Sequence, residues 1–273
     1  ILFDKLETRA CMTNMEDPIK IGSQSVPRLF FLIPVLNEAP NVQRLLSSLE
    51  DFGESQKNQL QCEIIFIDDG SSDDTSQKII DHQKHLSVKV LRHSKNLGPG
   101  AAFSTGFFYL NSLLQEHDWV VTLEGDNTSR LQTLRQMMVR RLEGFDVVLA
   151  SPYAYGGGII HPSGLRMFLS NIANSLIKAL LGIRGILTMS SFFRLYSAPI
   201  LIRLQDRFGP GIIDFKGFEG MIELLSKLIA IRATISEVAM PLDGSLRIGK
   251  SKMKIVKTIF GYFKLFWARR HWH

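Results

Sequence analysis

The chain has 273 residues, 45% of them hydrophobic and 21% charged, enough to bury the core of one α/β domain and too apolar for a disordered chain. Two cysteines, Cys11 and Cys62, lack CxxC spacing, which argues against a disulfide framework or a cysteine-bound zinc. The net charge is +6, but residues 244–273 carry eight Lys or Arg and no acid, so the rest of the chain is slightly acidic and the basic excess belongs to the C-terminal segment.

Residues 1–27 are polar and irregular and read as a flexible arm ending at Pro27. Leu29-Phe30-Phe31-Leu32-Ile33 is a continuous apolar run of strand length, as a strand buried on both faces requires. Val42, Leu45, Leu46 and Leu49 then recur at helical spacing between Ala39 and Phe52. A second strand, Glu63 to Ile67, runs into Asp68-Asp69-Gly70-Ser71-Ser72, and a helix is expected from about Asp73 to Thr75 onward. Val88 to Leu91 reads as a third strand, Ala101 to Gln115 as a helix, Trp119 to Leu123 as a fourth strand, Leu131 to Leu142 as a helix and Asp146 to Ala150 as a fifth strand. Alternation of this kind predicts an α/β fold with a mostly parallel sheet flanked by helices.

The second half is less regular. Tyr155-Gly156-Gly157-Gly158 reads as a mobile loop and Leu165 to Leu181 as a helix. A strand at Ser190 to Tyr196, helices from Pro199 and from Gly217 to Ile229, and a strand at Ala233 to Val238 follow. The tail from Met253 to Trp267 has helical spacing, with Ile255, Ile259, Tyr262, Phe263 and Phe266 on one side and Lys252, Lys254, Lys257 and Lys264 interspersed. The uncharged stretch Val147 to Leu165 is broken by Pro152, Pro162 and four glycines, which speaks against a spanning helix.

Ligands of open parallel sheets bind beyond the carboxyl ends of the strands. Those ends are acidic here: Glu38 after the first strand, Asp68 and Asp69 after the second, Glu124 and Asp126 after the fourth. Converging carboxylates need a cation or donors to balance them, and Mg²⁺ bridging Asp126 to substrate phosphates would do so with one or two protein ligands. Asp-Gly and Ser-Ser are also ordinary turn chemistry, so no single piece decides the matter. No GxGxxG follows the first strand, and no P-loop or GxSxG elbow occurs. The seven histidines show no metal-ligand spacing and read as structural or surface groups. Arg194 and Lys250 read either as neighbours of the site or as solvated ion-pairing groups, and Glu219 and Glu223 as a solvated helix face.

Pro34-Val35-Leu36-Asn37-Glu38, Ile67 to Thr75, Asn96-Leu97-Gly98 and Glu124-Gly125-Asp126 together resemble the nucleotide-binding half of family 2 glycosyltransferases of GT-A (Rossmann-like) fold. Arg166 with Ser170, Ala173 and Asn174, then Ser190 to Arg194, Gly217-Phe218-Glu219 and Arg247 to Lys252 are similar to the polyprenyl-phosphate branch of that family, typified by dolichyl-phosphate mannose synthases. The resemblance covers about residues 28–255. It implies that Pro34, Leu36, Glu38, Asp68 and Asp69 line the nucleoside pocket, and that Asp126, helped by Glu124, holds Mg²⁺ or Mn²⁺ on the diphosphate. It also implies that Arg166, Ser170 and Arg247 receive the acceptor phosphate, with Asp126, Arg166 and Arg247 in the catalytic roles. Glu124 stands where the family has its first metal-motif Asp, Pro152 where an Arg is frequent, Thr188 where an Asp is frequent and Phe192 where Gly is usual.

The resulting expectation is an inverting glycosyltransferase that moves a sugar from a UDP- or GDP-sugar to a polyprenyl phosphate, with the alternatives of a glycan or glycolipid hydroxyl acceptor or a catalytically silent nucleotide-sugar-binding protein. Residues 28–245 would form the transferase domain and 246–273 a basic amphipathic tail. The tail's lysines and aromatics suit an anionic membrane surface, so a peripheral position on the cytoplasmic face of a membrane is expected, and nucleic acid is the weaker partner.

Overall fold

The computed structural model describes residues 26–160, 175, 178–179, 182–248 and 255–268. Seven strands form one sheet in the order β3-β2-β1-β4-β7-β5-β8. The first half builds β1 (Arg28–Val35), α1 (Ala39–Gln56), β2 (Gln61–Asp68), α2 (Thr75–His82), β3 (Ser87–Arg92), α3 (Pro99–Leu110) and β4 (Trp119–Thr122). Then come α4 (Gln132–Leu142), β5 (Val147–Ser151), β6 (Gly158–Ile160), β7 (Arg194–Ser197), α5 (Ala198–Phe208), α6 (Gly220–Ala230), β8 (Ile235–Ala239), β9 (Pro241–Asp243), a 3₁₀ turn (Gly244–Leu246) and α7 (Ile255–Ala268).

The continuous apolar runs are explained by burial on both faces. Along β1, Phe30 and Leu32 join a core with α3, α5 and α6. The alternate residues Leu29, Phe31, Ile33 and Val35 join a second core with α1 and α4. Since side chains alternate along a strand, both sets must be apolar, and each fully buried one contributes about 1.5–3 kcal/mol. All sheet pairings are parallel except those of β7, which runs antiparallel to both β4 and β5.

The chain builds β1, β2 and β3 to one side and then returns to place β4 on the other side of β1. The crevice between the carboxyl ends of β1 and β4 is therefore the topological switch point, where this architecture opens a ligand site. One feature differs from the sequence expectation. The glycine-rich stretch does not remain a loop throughout, because β6 pairs in parallel with β9 in a two-stranded sheet. A three-residue strand containing one glycine carries too little periodicity to announce itself.

Leu265 of α7 is buried and Tyr262 packs against the core of α3, α5 and α6. Gly261 is the close-approach point: a Cβ there would lie 2.7 Å from the Glu219 carboxyl. Burial, and secondarily the Glu219 charge, pushes the Tyr262 hydroxyl up to about 12. Trp267 remains 63% exposed and packs edge-on against Phe266. Among the described residues no helix is long and apolar enough to cross a membrane.

Candidate active site

The loops after β1 and β2 are stitched to each other. The Asn37 amide donates to Ser71 Oγ at 2.9 Å, the Glu38 amide to Thr75 Oγ1 at 2.8 Å, and Asn37 Oδ1 accepts from the Ser72 amide at 2.8 Å. Asn37 takes a positive φ of 50°, which a short polar side chain tolerates. Pro34, Leu36 and Glu38 are half-buried at this edge.

Asp68 and Asp69 are both buried but point to different tasks. Asp68 accepts from the Ser71 amide at 2.8 Å and from the Ser76 hydroxyl, and it ion-pairs with Arg92 at 3.4 Å. Asp69 accepts from the backbone amides of Leu97 and Gly98, each at 2.8 Å, and lies 2.8 Å from His93 Nδ1. It thereby fixes the Asn96-Leu97-Gly98 turn before α3. Gly98 has φ 105°, and a Cβ on it would come within 2.4 Å of the Lys216 carbonyl, so no other residue fits this turn without strain. An open cleft of about 410 Å³ lined by Gly70, Ser71, Arg92, His93 and Ser94 lies at these strand ends.

At the switch point, Gly125 lets the chain pass against β1; a Cβ there would meet Val35 at 2.6 Å. This brings Glu124 and the buried Asp126 to the ligand edge. Asp126 Oδ1 accepts from the Thr128 amide at 3.0 Å and the Thr128 hydroxyl at 2.7 Å. Oδ2 accepts from Arg247 Nε at 2.7 Å and from a second nitrogen of the same guanidinium. Burial works against the charge on Arg247, yet the carboxylates of Asp126, Glu124 and Glu38 outweigh it and hold the guanidinium above its ordinary value. The structure thus joins Glu38, Glu124, Asp126 and Arg247 into one electrostatic group. Arg166, Ser170 and Lys250 lie outside the described residues, as does most of the helix expected over Leu165 to Leu181.

These residues fit a small hard divalent cation. All the candidate ligands are carboxylate oxygens, and Asp126 Oδ2 already faces a positive charge. Among the described residues no three His, Cys, Asp or Glu form a cage; an ion held by Asp126 and Glu124 would take one or two protein oxygens and complete its shell on phosphates and water.

Two expectations are corrected. Arg194 is neither a site neighbour nor a solvated ion pair: it is fully buried and donates to the carbonyls of Ser191, Met189 and Met221 at 2.6–2.9 Å. Glu223 is not on a solvated face. It is buried, accepts from the Asp214 and Phe215 amides at 2.9 Å each, and pairs with buried Lys227 at 2.7 Å. Desolvation pushes it up to about 7 against the pull of Lys227. The i, i+4 Glu-Lys spacing that marks surface helices is here enclosed because the 212–215 segment bonds both side chains, Asp214 and Phe215 to Glu223 and Ile212 and Asp214 to Lys227.

Asn41 went unremarked in the sequence, where it looks like one more polar residue in the first turn of a helix. It is fully buried and bonds Glu38 and Ile248, while its backbone carbonyl accepts from Asn127. The only signal available was its position three residues after Glu38.

The chain is 27% identical over 244 residues to a polyprenol monophosphomannose synthase of Mycolicibacterium smegmatis, covering 87% of this chain and 84% of that protein. It is 27% identical over 246 residues to a dolichol-phosphate mannosyltransferase of Pyrococcus furiosus, covering 88% of this chain and 63% of that one. Its fold is that of glucosyl-3-phosphoglycerate synthase of Mycobacterium tuberculosis, solved with Mn²⁺, UDP-glucose and phosphoglyceric acid, at a TM-score of 0.60 and 18% identity over 89% of this chain and 79% of that one. Residues 30–204, well over half of the chain, match the family described as Glycosyl transferase family 2, and the chain is a glycosyltransferase belonging to that family.

Proposed function

We propose that this glycosyltransferase moves a sugar, with inversion, from a UDP- or GDP-sugar to the phosphate of a polyprenyl lipid. The observation that carries the reading is the placement of Arg247 on Asp126 at the switch point. On this reading one guanidinium, held by the carboxylate proposed for the donor, would also receive the incoming phosphate. The names of the two mannose-transferring relatives support a polyprenyl phosphate acceptor and favour mannose as the sugar.

The chemistry follows from the charges. A lipid phosphate oxygen is anionic near neutral pH and needs no strong general base; it needs positioning. Arginine provides that through paired N–H donors that match phosphate oxygens. Arg247, with Arg166 and Ser170, would hold the acceptor for in-line attack on the anomeric carbon. Asp126, with Glu124, would hold Mg²⁺ or Mn²⁺, which supplies charge neutralisation for the leaving diphosphate. Arg247 lies on Asp126, so the carboxylate that would hold the metal also holds the guanidinium that would receive the acceptor phosphate. Pro34, Leu36, Glu38, Asp68 and Asp69 form and brace the nucleoside pocket.

The acceptor lipid places the protein at a membrane surface, cytoplasmic for a nucleotide-sugar donor. The basic segment 246–273 and the exposed Trp267 suit an anionic surface as partner. Initial rates with UDP- and GDP-sugars, polyprenyl phosphate or hydroxyl acceptors, and Mg²⁺, Mn²⁺ or chelator test the whole reading. Arg247→Ala should raise the acceptor KM by roughly 30-fold or more, the worth of charge-assisted hydrogen bonds, while nucleotide affinity holds or tightens. Equal loss of both affinities, or transfer to hydroxyls alone, rejects the phosphate acceptor.

A further inference from the structure

Asn41 has no solvent exposure, yet it is a helix residue with an amide side chain, and its contacts reach three separate segments. Oδ1 accepts from the Ile248 amide at 3.2 Å and Nδ2 donates to the Ile248 carbonyl at 3.1 Å. One side chain thus exchanges both hydrogen bonds with one residue, as an opposing strand residue does in an antiparallel ladder. The second Nδ2 hydrogen goes to Glu38 Oε2 at 2.5 Å. The Asn41 carbonyl accepts from Asn127 Nδ2 at 2.9 Å, and Asn127, at φ 64°, directly follows Asp126. Reversing the amide would set its oxygen against the Glu38 carboxylate and the Ile248 carbonyl, so the neighbours fix its orientation.

The segment gripped by Asn41 is the one that carries Arg247. Little else holds it by burial: Gly244, Ser245 and Ile248 are exposed and Leu246 is half-buried. Its other anchors are hydrogen bonds, from Arg44 to the Leu246 carbonyl, from Ser245 to Asp243 and from the Arg247 side chain to Asp126.

We infer that Asn41 is a positioning residue that clamps residues 246–248 so that Arg247 stands over Glu38, Glu124 and Asp126, and that it thereby sets how tightly the acceptor phosphate is held. The effect on the acceptor rests on the role proposed above for Arg247; the clamp itself does not. Asparagine is required because the site needs a donor and an acceptor at the same depth. An aspartate in its place would have the right size but no N–H, and its carboxylate would face Glu38 and a carbonyl.

Two variants of the full chain test this. Asn41→Asp removes the two bonds that Nδ2 donates and sets a carboxylate oxygen against Glu38 and the Ile248 carbonyl. Ile248→Pro removes only the amide that Asn41 accepts, at an exposed position; the extended Arg247 backbone, φ −73° and ψ 126°, is the conformation a residue before proline needs. Hydrogen–deuterium exchange should speed up about tenfold in peptides covering residues 244–248 in Asn41→Asp, and at the amides of 244–247 that remain in Ile248→Pro, with β1 unchanged. In transfer assays the KM for polyprenyl phosphate should rise about tenfold with kcat changed much less, the pattern of lost uniform binding. Unchanged exchange in residues 244–248 overturns the clamp. Faster exchange with an unchanged acceptor KM overturns the positioning role. If the wild-type protein transfers nothing to polyprenyl phosphate, faster exchange still supports the clamp while the acceptor reading falls. If Asn41→Asp does not fold, Ile248→Pro decides both readouts.

Discussion

The two edges of the site, donor and acceptor in the proposed function, are built by opposite means. On the donor edge, the loops after β1 and β2 are cross-bonded by Asn37, Ser71, Ser72 and Thr75, and Asp69 anchors the next turn by two backbone amides. On the acceptor edge, the 244–248 segment is mostly exposed and hangs on side chains from other elements, chiefly Asn41, Arg44 and Asp126. Stiffness follows from where backbone groups find partners. Under the proposed function, the stiff edge would suit a nucleotide of constant shape and the looser edge a lipid phosphate that enters from a bilayer and leaves again.

Asp126 belongs to both edges, so its loss should be the largest effect. Asp126→Ala removes the carboxylate proposed to hold the metal and also releases Arg247. Transfer should fall by roughly two orders of magnitude or more, the scale of losing a main electrostatic contact to the leaving group, and the divalent-ion dependence of nucleotide binding should vanish in calorimetric titration. Transfer within about tenfold of wild type would mean that the two edges do not meet at Asp126.

The donor edge has a support from the second half of the chain, and that support is sensitive to pH. Glu223 holds the Asp214 and Phe215 amides, and the next carbonyl, of Lys216, accepts from the amides of Gly100 and Ala101 at the start of α3. Burial raises Glu223 from 4.5 to about 7, so the folded chain binds this proton more tightly than the unfolded chain. Stability from this group is therefore greatest below pH 4.5 and declines as the pH rises to about 7, by up to about 3 kcal/mol. Chemical denaturation at several pH values should show this slope in the wild type and its absence in Glu223→Gln. Parallel curves for the two proteins would remove Glu223 as the source.

Asp69→Asn asks how much of the donor edge's rigidity rests on one side chain. The variant keeps the size but turns its NH₂ toward one of the two amides, of Leu97 or Gly98, leaving that part-buried donor unpaired. A loss of about 2 kcal/mol is expected in denaturation, with weaker nucleotide binding in titration. A stable variant with weak nucleotide binding would instead place Asp69 in direct contact with the ligand.

The same contrast governs what the sequence disclosed. The five β strands and the helices of the first half were legible because apolar runs such as Leu29 to Ile33 bury both faces, and Glu124-Gly125-Asp126 announced itself by following a strand. The donor edge is made of residues close to strand ends, so topology alone brings them together. The acceptor edge depends on contacts across the chain, such as Asn41 to Ile248 and Arg247 to Asp126, for which spacing has no signature. Arg194 and Glu223 misled for a related reason: charge suggests solvent, and only the packing of α6 and β7 shows that backbone carbonyls, amides and Lys227 satisfy them inside. In α7, the expected apolar stripe omitted Gly261 and Leu265, since a glycine has no hydropathy to contribute and matters only where another element comes close.

The smallest effect should come from the outer face of α7, where exposure and fold stability separate. Leu265 and Tyr262 dock this helix on the core while Trp267 and Lys264 face outward, so the outer pair can be changed without loosening the inner one. Trp267→Ala should leave the melting temperature unchanged and reduce partitioning onto anionic lipid vesicles about fivefold, near 1 kcal/mol. That is the scale of giving up part of one aromatic's apolar burial. Lys264→Glu should weaken partitioning by a similar factor, and only its effect should shrink at high salt, because screening acts on charge and not on apolar insertion. Vesicle binding that ignores both changes would move the membrane contact away from α7, and a drop in melting temperature with Trp267→Ala would show that its ring supports the fold.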